Sequence, residues 1–294
     1  MSESSPIVQK VWNYCHTLRD EGVGYGDYLE QLTYLLFLKM AHEKSQYYEE
    51  YQNLIPQGYD WQSLKEKEGE ALEDHYNKLL TTLGKEEGML GQIFLKAQNK
   101  IQNPSRLKRL VNMIEGENWS GMGEDVKGDI YEGLLEKFAE DTKSGAGQYC
   151  TPRALIQAMV ECIRPEPERN IADPACGTGG FFLAAKGYIT REYANEMDKD
   201  QKQFLKYHTF KGWEIVPNTA RLCLMNLFLH NIGDLNSKPP IDRNDSLLSS
   251  PSEKFDYVLT NPPFGKKSSY TITSDDGTQK KETLNYNRQD FWAT

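Results

Sequence analysis

Five consecutive residues, Asn261-Pro262-Pro263-Phe264-Gly265, form a turn with an unusual balance of hydrogen-bonding groups. Two prolines stiffen it and remove two backbone donors. What is left is a row of acceptors: the Asn261 side-chain oxygen and the carbonyls of Asn261 and Pro262. An exocyclic amino group, with two N–H bonds to offer, is a matching target. Accepting both hydrogens opposes conjugation of the amino lone pair with its ring and makes the nitrogen more nucleophilic. Phe264 adds a flat face on which a planar base can stack. Asn-Pro-Pro could also serve shape alone. The neighbouring aromatic and a Gly-rich turn upstream favour chemistry on a base.

That upstream turn is Asp173-Pro174-Ala175-Cys176-Gly177-Thr178-Gly179-Gly180. It does not follow the G-x-G-x-x-G spacing and lacks the Lys-Ser/Thr of a P-loop, which disfavours a dinucleotide and ATP hydrolysis. Its glycines allow a sharp turn and close approach to a ligand, and a helix that follows would offer its N-terminal dipole. Taken alone, such a turn can equally be tight packing. Glu214, in Gly212-Trp213-Glu214, can accept from both hydroxyls of a ribose, or can simply sit near a helix N-terminus. Asp245, in Asn244-Asp245-Ser246-Leu247, reads as an ordinary turn residue whose interest lies in its order along the chain.

These residues need elements to hold them. After Ser144-Gly145-Ala146-Gly147 the pattern alternates helix and strand. Helices are expected from Pro152, from Gly179 and from Pro217 to about His230. Strands are expected at Asn170–Asp173, Thr209–Glu214 and Phe255–Thr260. Alternation of this kind predicts a parallel, doubly wound sheet, with ligands at the carboxyl ends of its strands.

Residues 1–143 read instead as a helical domain, and 144–294 as the catalytic one. Ser5-Pro6 opens a first helix. Asp27 with Glu30 reads as a capping box, followed by Leu29, Leu32, Leu36 and Met40 at helical spacing. Leu72, Tyr76, Leu79 and Leu83 form a stripe closed by Gly84. Asn103-Pro104 opens a helix through Leu107, Leu110, Val111 and Ile114 that ends at Gly116. Ile130, Leu134, Leu135 and Phe138 make one more. No cluster of polar residues among these stripes suggests a site, so this half reads as an interaction or support domain. The segment from Gly265 to Asp290, which includes Lys266 and Lys267, shows neither period and reads as a mobile loop.

Composition narrows the partners. The chain has 294 residues, 34 Lys and Arg against 43 Asp and Glu, and a net charge of −9. Such a chain is a poor free-standing binder of nucleic acid and would meet DNA through a local patch or a basic partner. No apolar run approaches the ~18 residues of a membrane span, and the start carries no secretory signal. Cys15, Cys150, Cys162, Cys176 and Cys223 are odd in number and contain no C-x-x-C pair. They read as free thiols in a reducing cytosol, with neither a disulfide framework nor a metal site.

Together, Asp173-Pro174-x-Cys176-Gly177-x-Gly179-Gly180 and Asn261-Pro262-Pro263-Phe264 resemble the amino-group class of S-adenosylmethionine-dependent DNA methyltransferases. Gly147-Gln148-Tyr149-Cys150-Thr151-Pro152-Arg153 resembles the motif that precedes the catalytic sheet in the type I restriction–modification branch, and the helical half resembles the N-terminal domain of that branch's modification subunit. The resemblance implies a Rossmann-like methyltransferase sheet behind an all-α domain, with S-adenosylmethionine as cofactor. It implies that Asp173, Cys176, Gly177, Thr178 and Gly179 line the methionine and ribose part of the cofactor. Gln148, Tyr149, Thr151 and Pro152 would lie at its methionine carboxylate, Glu214 on the ribose and Asp245 on the adenine amino group. Asn261, Pro262, Pro263 and Phe264 would hold the target base. Asn261 in the lead position favours adenine N6 over cytosine N4, and no Pro-Cys dipeptide signals cytosine C5 chemistry. The implied partners are DNA, a specificity subunit, a restriction subunit and a second copy of the modification subunit.

Other readings stay open. A glutamine-amide protein methyltransferase shares the Asn-Pro-Pro-aromatic turn, and a non-catalytic S-adenosylmethionine-binding subunit could keep the fold. Only 34 residues follow Thr260, most of them polar. The sheet is therefore expected to be incomplete in this chain, with the strand before Asn261 as an open edge. The chain is expected to be inactive alone, as a fragment of a longer protein or one completed by a partner.

Overall fold

The apolar stripes of the first half build the helices their spacing requires. In a computed structural model, the structure describes residues 9–11, 13–14, 25–47, 49–117, 130–135, 151–248, 251–263, 269–273 and 279–283. Helix α1 spans Tyr25–Tyr47, α2 Trp61–Lys65, α3 Gly69–Leu83, α4 Gly88–Phe94 and α5 Pro104–Glu115. Residues 130–135 are also helical. In α3 the buried set is Leu72, Tyr76, Leu79, Leu80 and Leu83. In α5, Asn103 caps as its type dictates: its side chain accepts from the backbone N–H groups of Ser105 and Arg106, with Pro104 in the first turn. The proposed Ser5-Pro6 cap and Phe138 lie outside the described residues.

One cap reading is corrected. Helix α1 begins at Tyr25, so Asp27 lies inside it rather than ahead of it. Glu30 is not half of a capping box. Its carboxylate accepts from the Tyr34 hydroxyl at 2.6 Å and pairs with the buried Arg221 guanidinium. A long-range partner, invisible to local pattern, claims the residue.

The second half alternates as expected: α6 Arg153–Ile163, β1 Ile171–Asp173, α7 Gly180–Tyr193, α8 Lys199–Tyr207, β2 Phe210–Trp213, α9 Pro217–Leu229, β3 Ile241–Asp242 and β4 Tyr257–Val258. Strands β1 to β4 form a parallel sheet in the order β3-β2-β1-β4. The register pairs Asp173 with Gly212, Trp213 with Asp242 and Ala172 with Val258. The order reverses between β1 and β4, and that is where an open α/β sheet leaves a crevice at its carboxyl edge. Among the described strands β4 is an edge, and Val258 on it is 58% exposed.

Three features depart from the sequence reading. The two-residue strand β3 is too short to show a period. Helix α8 is opened by a capping box between Asp198 and Gln201 that composition alone did not reveal. And the segment expected as a structureless loop contains an antiparallel pair, β5 Ser269–Thr273 and β6 Gln279–Thr283. The signal was there in Asp276-Gly277, a preferred hairpin dipeptide. Lys266 and Lys267 lie outside the described residues.

Helix α9 joins the two halves. All ten residues from Ala220 to Leu229 are buried, as expected of a helix covered on every side. It packs on α1, α4 and β3. Polar ties reinforce the seam. Arg221 donates to the Leu95 carbonyl at 3.0 Å, and the Met89 and Leu90 amides donate to the carbonyls of Ser237 and Leu235. The buried apolar cluster runs without a break from the helical half into the sheet. Among the described residues no helix is long and apolar enough to cross a membrane.

Candidate functional site

The four parallel strands deliver their polar residues to one edge. Asp173 ends β1, Glu214 follows β2, Asp245 lies three residues past β3, and Asn261 lies three past β4. Strand β3 matters here: without it Asp245 was merely a turn residue, whereas in the structure it continues the row. Asp245 also makes the turn expected of its type, its Oδ1 accepting from the Leu247 amide at 2.9 Å.

The two acids nearest the Gly-rich turn are held by backbone. Asp173 is 1% exposed, and its Oδ1 accepts from the Ala175 amide at 3.0 Å. Burial raises its carboxyl to about 6. The Ala175 amide and the nearby Thr260 hydroxyl pull the other way, and the Glu214 charge adds to the rise. Glu214 accepts from the Gly177 amide at 3.1 Å through Oε2 and from the Val216 amide at 2.8 Å through Oε1. Its carboxyl is also raised, chiefly by burial, against the lowering effect of those amides. Among the described residues neither carboxylate has a cationic partner.

The glycines divide between two jobs. Gly177 has φ +54°, and a Cβ there would meet none of the described residues within 4 Å. Its surroundings are open to a ligand. Gly179 has φ +88°, and a Cβ there would lie 3.0 Å from Cys223 Sγ and 3.3 Å from Leu227 Cδ2 on α9. That glycine serves packing. Thr178 between them is anchored through its carbonyl, which accepts from Asn226 Nδ2 at 3.0 Å. Asn226 was missed in the sequence. A lone polar residue in the buried run Leu222–Leu229 was the available signal. Cys176 is buried beside Cys223, and both thiols are free, as is that of Cys162.

The catalytic-turn candidates are half visible. Asn261 is half-buried, while Pro262 and Pro263 are exposed. Asn261 Nδ2 donates to Thr151 Oγ1 at 3.0 Å, across 110 residues. Among the described residues nothing donates to Asn261 Oδ1 or to the Asn261 and Pro262 carbonyls. Within the described residues these acceptors are unclaimed. Thr151 and Pro152 stand at the start of α6. Gln148, Tyr149 and Phe264 lie outside the described residues.

Two further apolar positions escaped the sequence reading. Ile215, directly after Glu214, is 63% exposed, and Leu247, two residues after Asp245, is 43% exposed. Exposed apolar side chains at adjacent strand ends offer faces for a planar ring. One buried and one half-buried acid without cations, an open glycine and these apolar faces together suit a ligand with positive charge, a diol and an aromatic base. S-adenosylmethionine has those three parts. Among the described residues no group of three His, Cys, Asp or Glu gathers to hold a metal ion.

Both halves of the chain are similar to known proteins. Residues 122–293 match the family model described as N-6 DNA methylase, and residues 7–114 match that of the HsdM N-terminal domain. The chain is 39% identical over 280 residues to the type I restriction enzyme EcoKI methylase subunit of Escherichia coli strain K12, covering 92% of this chain and 52% of that protein. Identity to the StySJI methylase subunit of Salmonella typhimurium is also 39%, with the same coverage. The chain thus spans about half the length of the curated relatives it matches. A solved modification subunit assigned to a type I restriction enzyme of Vibrio vulnificus YJ016 superposes with a TM-score of 0.74 at 25% identity, over 88% of this chain and 61% of that one.

Proposed function

The chain belongs to the N-6 DNA methylase family, and from that membership and the site geometry we propose that it carries the cofactor and catalytic motifs of an adenine-N6 DNA methyltransferase. The reading places it in the modification subunit of a type I restriction–modification complex. The observation that carries the proposal is the row of Asp173, Glu214, Asp245 and Asn261 along the carboxyl edge of one parallel sheet, beside the open Gly177.

In this reading Glu214 binds the ribose hydroxyls, Asp245 the adenine amino group of the cofactor, and ionised Asp173 faces the cofactor's positive end. S-adenosylmethionine, when bound, supplies an electrophilic methyl group on a sulfonium. Asn261 Oδ1 and the Pro262 carbonyl would accept the two hydrogens of the target amino group and hold its nitrogen in line for direct displacement, in which the nitrogen gains the methyl group, the sulfur–methyl bond breaks with its electron pair left on sulfur, and the amino group releases one proton. No covalent nucleophile on the protein is required. Positioning and electrostatics carry the catalysis. The target adenine must leave the duplex stack to reach this turn, at a cost of a few kcal/mol. Phe264 would stack on the flipped base.

The charge of −9 suits a subunit that borrows its grip on DNA from partners. We assign those partners as a specificity subunit that reads the sequence, a restriction subunit, and a second modification subunit. The test is methyl transfer from labelled S-adenosylmethionine by the full-length subunit assembled with its specificity subunit. Label in the N6 position of DNA adenine is the expected result. Label in protein glutamine, or in neither substrate, would refute the proposal.

A further inference from the structure

The donor end of the Asn261 side chain is already occupied. Its Nδ2 donates to Thr151 Oγ1 at 3.0 Å, and both side chains are half-buried. A carboxamide has a donor end and an acceptor end of nearly the same shape, and half a turn of its terminal torsion exchanges them. In the exchanged orientation, amide N–H groups would confront the N–H groups of a target amino group. An acceptor role for Asn261 therefore requires something that holds the amide in one orientation.

Thr151 can do this while its own O–H points away from the amide, because a hydroxyl that turned its hydrogen inward could equally donate to Oδ1. Thr151 precedes Pro152, just as Asn261 precedes Pro262. A residue before proline is kept out of the helical region, so both partners sit on restricted backbone. Threonine is also stiff about χ1. The hydroxyl thus faces the amide from a rigid mount at the start of α6.

We propose that Thr151 is a positioning residue for methyl transfer: its hydroxyl oxygen holds the Asn261 amide nitrogen and leaves Oδ1 as the end that accepts from the target amino group. The inference rests on the acceptor role proposed for Asn261. It gives Thr151 a task beyond the contact with the cofactor carboxylate that the family resemblance implies.

Two substitutions separate these roles. Thr151→Val keeps the shape and removes the hydroxyl, whereas Thr151→Ser keeps the hydroxyl. Both are compared in the assembled full-length enzyme, with kcat measured on DNA and S-adenosylmethionine affinity measured by calorimetry. The expected result for Thr151→Val, measured at saturating S-adenosylmethionine, is a kcat lower by about five- to tenfold, the effect of one neutral hydrogen bond. Thr151→Ser should recover most of the rate. Normal kcat in Thr151→Val beside an inactive Asn261→Ala enzyme would overturn the positioning role and leave the acceptor role standing. Weakened cofactor binding at unchanged kcat would overturn it too, as would Thr151→Ser no faster than Thr151→Val. Normal transfer by Asn261→Ala would remove the underlying reading of Asn261, a separate failure.

Discussion

Glu214 Oε2 accepts from the Gly177 amide at 3.1 Å, tying the end of β2 to the Gly-rich turn after β1. The bond joins the proposed ribose acceptor to the glycine that leaves open space for a ligand. It follows that one substitution should disturb both.

Glu214→Ala removes a charged acceptor and leaves the amides of Gly177 and Val216 without their carboxylate. The expected loss in S-adenosylmethionine affinity is about 1.5–3 kcal/mol, from hydrogen bonds to a charged group. Calorimetric titration of the folded variant checks it. Unchanged affinity would remove Glu214 from the cofactor site. Gly177→Ala meets no atom of the described residues but strains a φ of +54°, so some of its effect should appear as lower stability before any ligand is added.

Asp173 makes binding and stability depend on pH in opposite ways. Its folded carboxyl titrates near 6, above the ordinary carboxylate range of about 3.9. The stabilising contribution of the protonated form is therefore complete below about pH 4 and is lost as pH rises through 6. Asp173→Asn should raise the melting temperature at pH 7.5 and converge with the parent below pH 4. Cofactor affinity, which needs the ionised form, should fall in the parent as pH drops through 6, and in the variant should be low throughout. Thermal melts and titrations across pH 4–8 provide the check.

Asn261→Ala should abolish transfer without touching cofactor affinity, because the acceptor it removes faces the base. A fall in kcat of at least about a hundredfold is expected for loss of a group that both orients and polarises the reacting amine. Rate and affinity are to be measured on the same preparation. Parallel loss of both would place Asn261 in the cofactor site instead.

Glu30 and Arg221 clamp the helical half to α9, with the Arg221 side chain 6% exposed. Glu30→Ala leaves a buried guanidinium without its carboxylate, which costs about 3 kcal/mol or more. Urea unfolding should show the loss. Because the core is continuous across both halves, the sheet should lose stability along with the helices. Unfolding of the helical half alone, with the sheet unaffected, would contradict the shared core.

Much of this protein was legible in its sequence because the information was local. Asn103-Pro104 caps α5 through bonds that reach two and three residues ahead, and the α3 stripe repeats within one helix. The strand ends at Asp173 and Glu214 follow from alternation of short elements. The same is true of the turn at Asn261, whose chemistry lies in consecutive residue types. What the tertiary structure alone decided involves partners far apart in the chain. Glu30 reads as the capping-box partner of Asp27 until Arg221, 191 residues away, takes its carboxylate. Gly177 and Gly179 look alike in the sequence. One faces open space and the other α9, a difference set by where a distant helix packs. Asp245 gained its place from a strand of two residues, too short for any period and held by its pairing with β2. Thr151 met Asn261 across 110 residues. Local spacing encodes which elements form, because backbone geometry repeats over a few residues. It does not encode which side chains meet when those elements pack, because such contacts follow from the order of strands and the burial of helices in three dimensions.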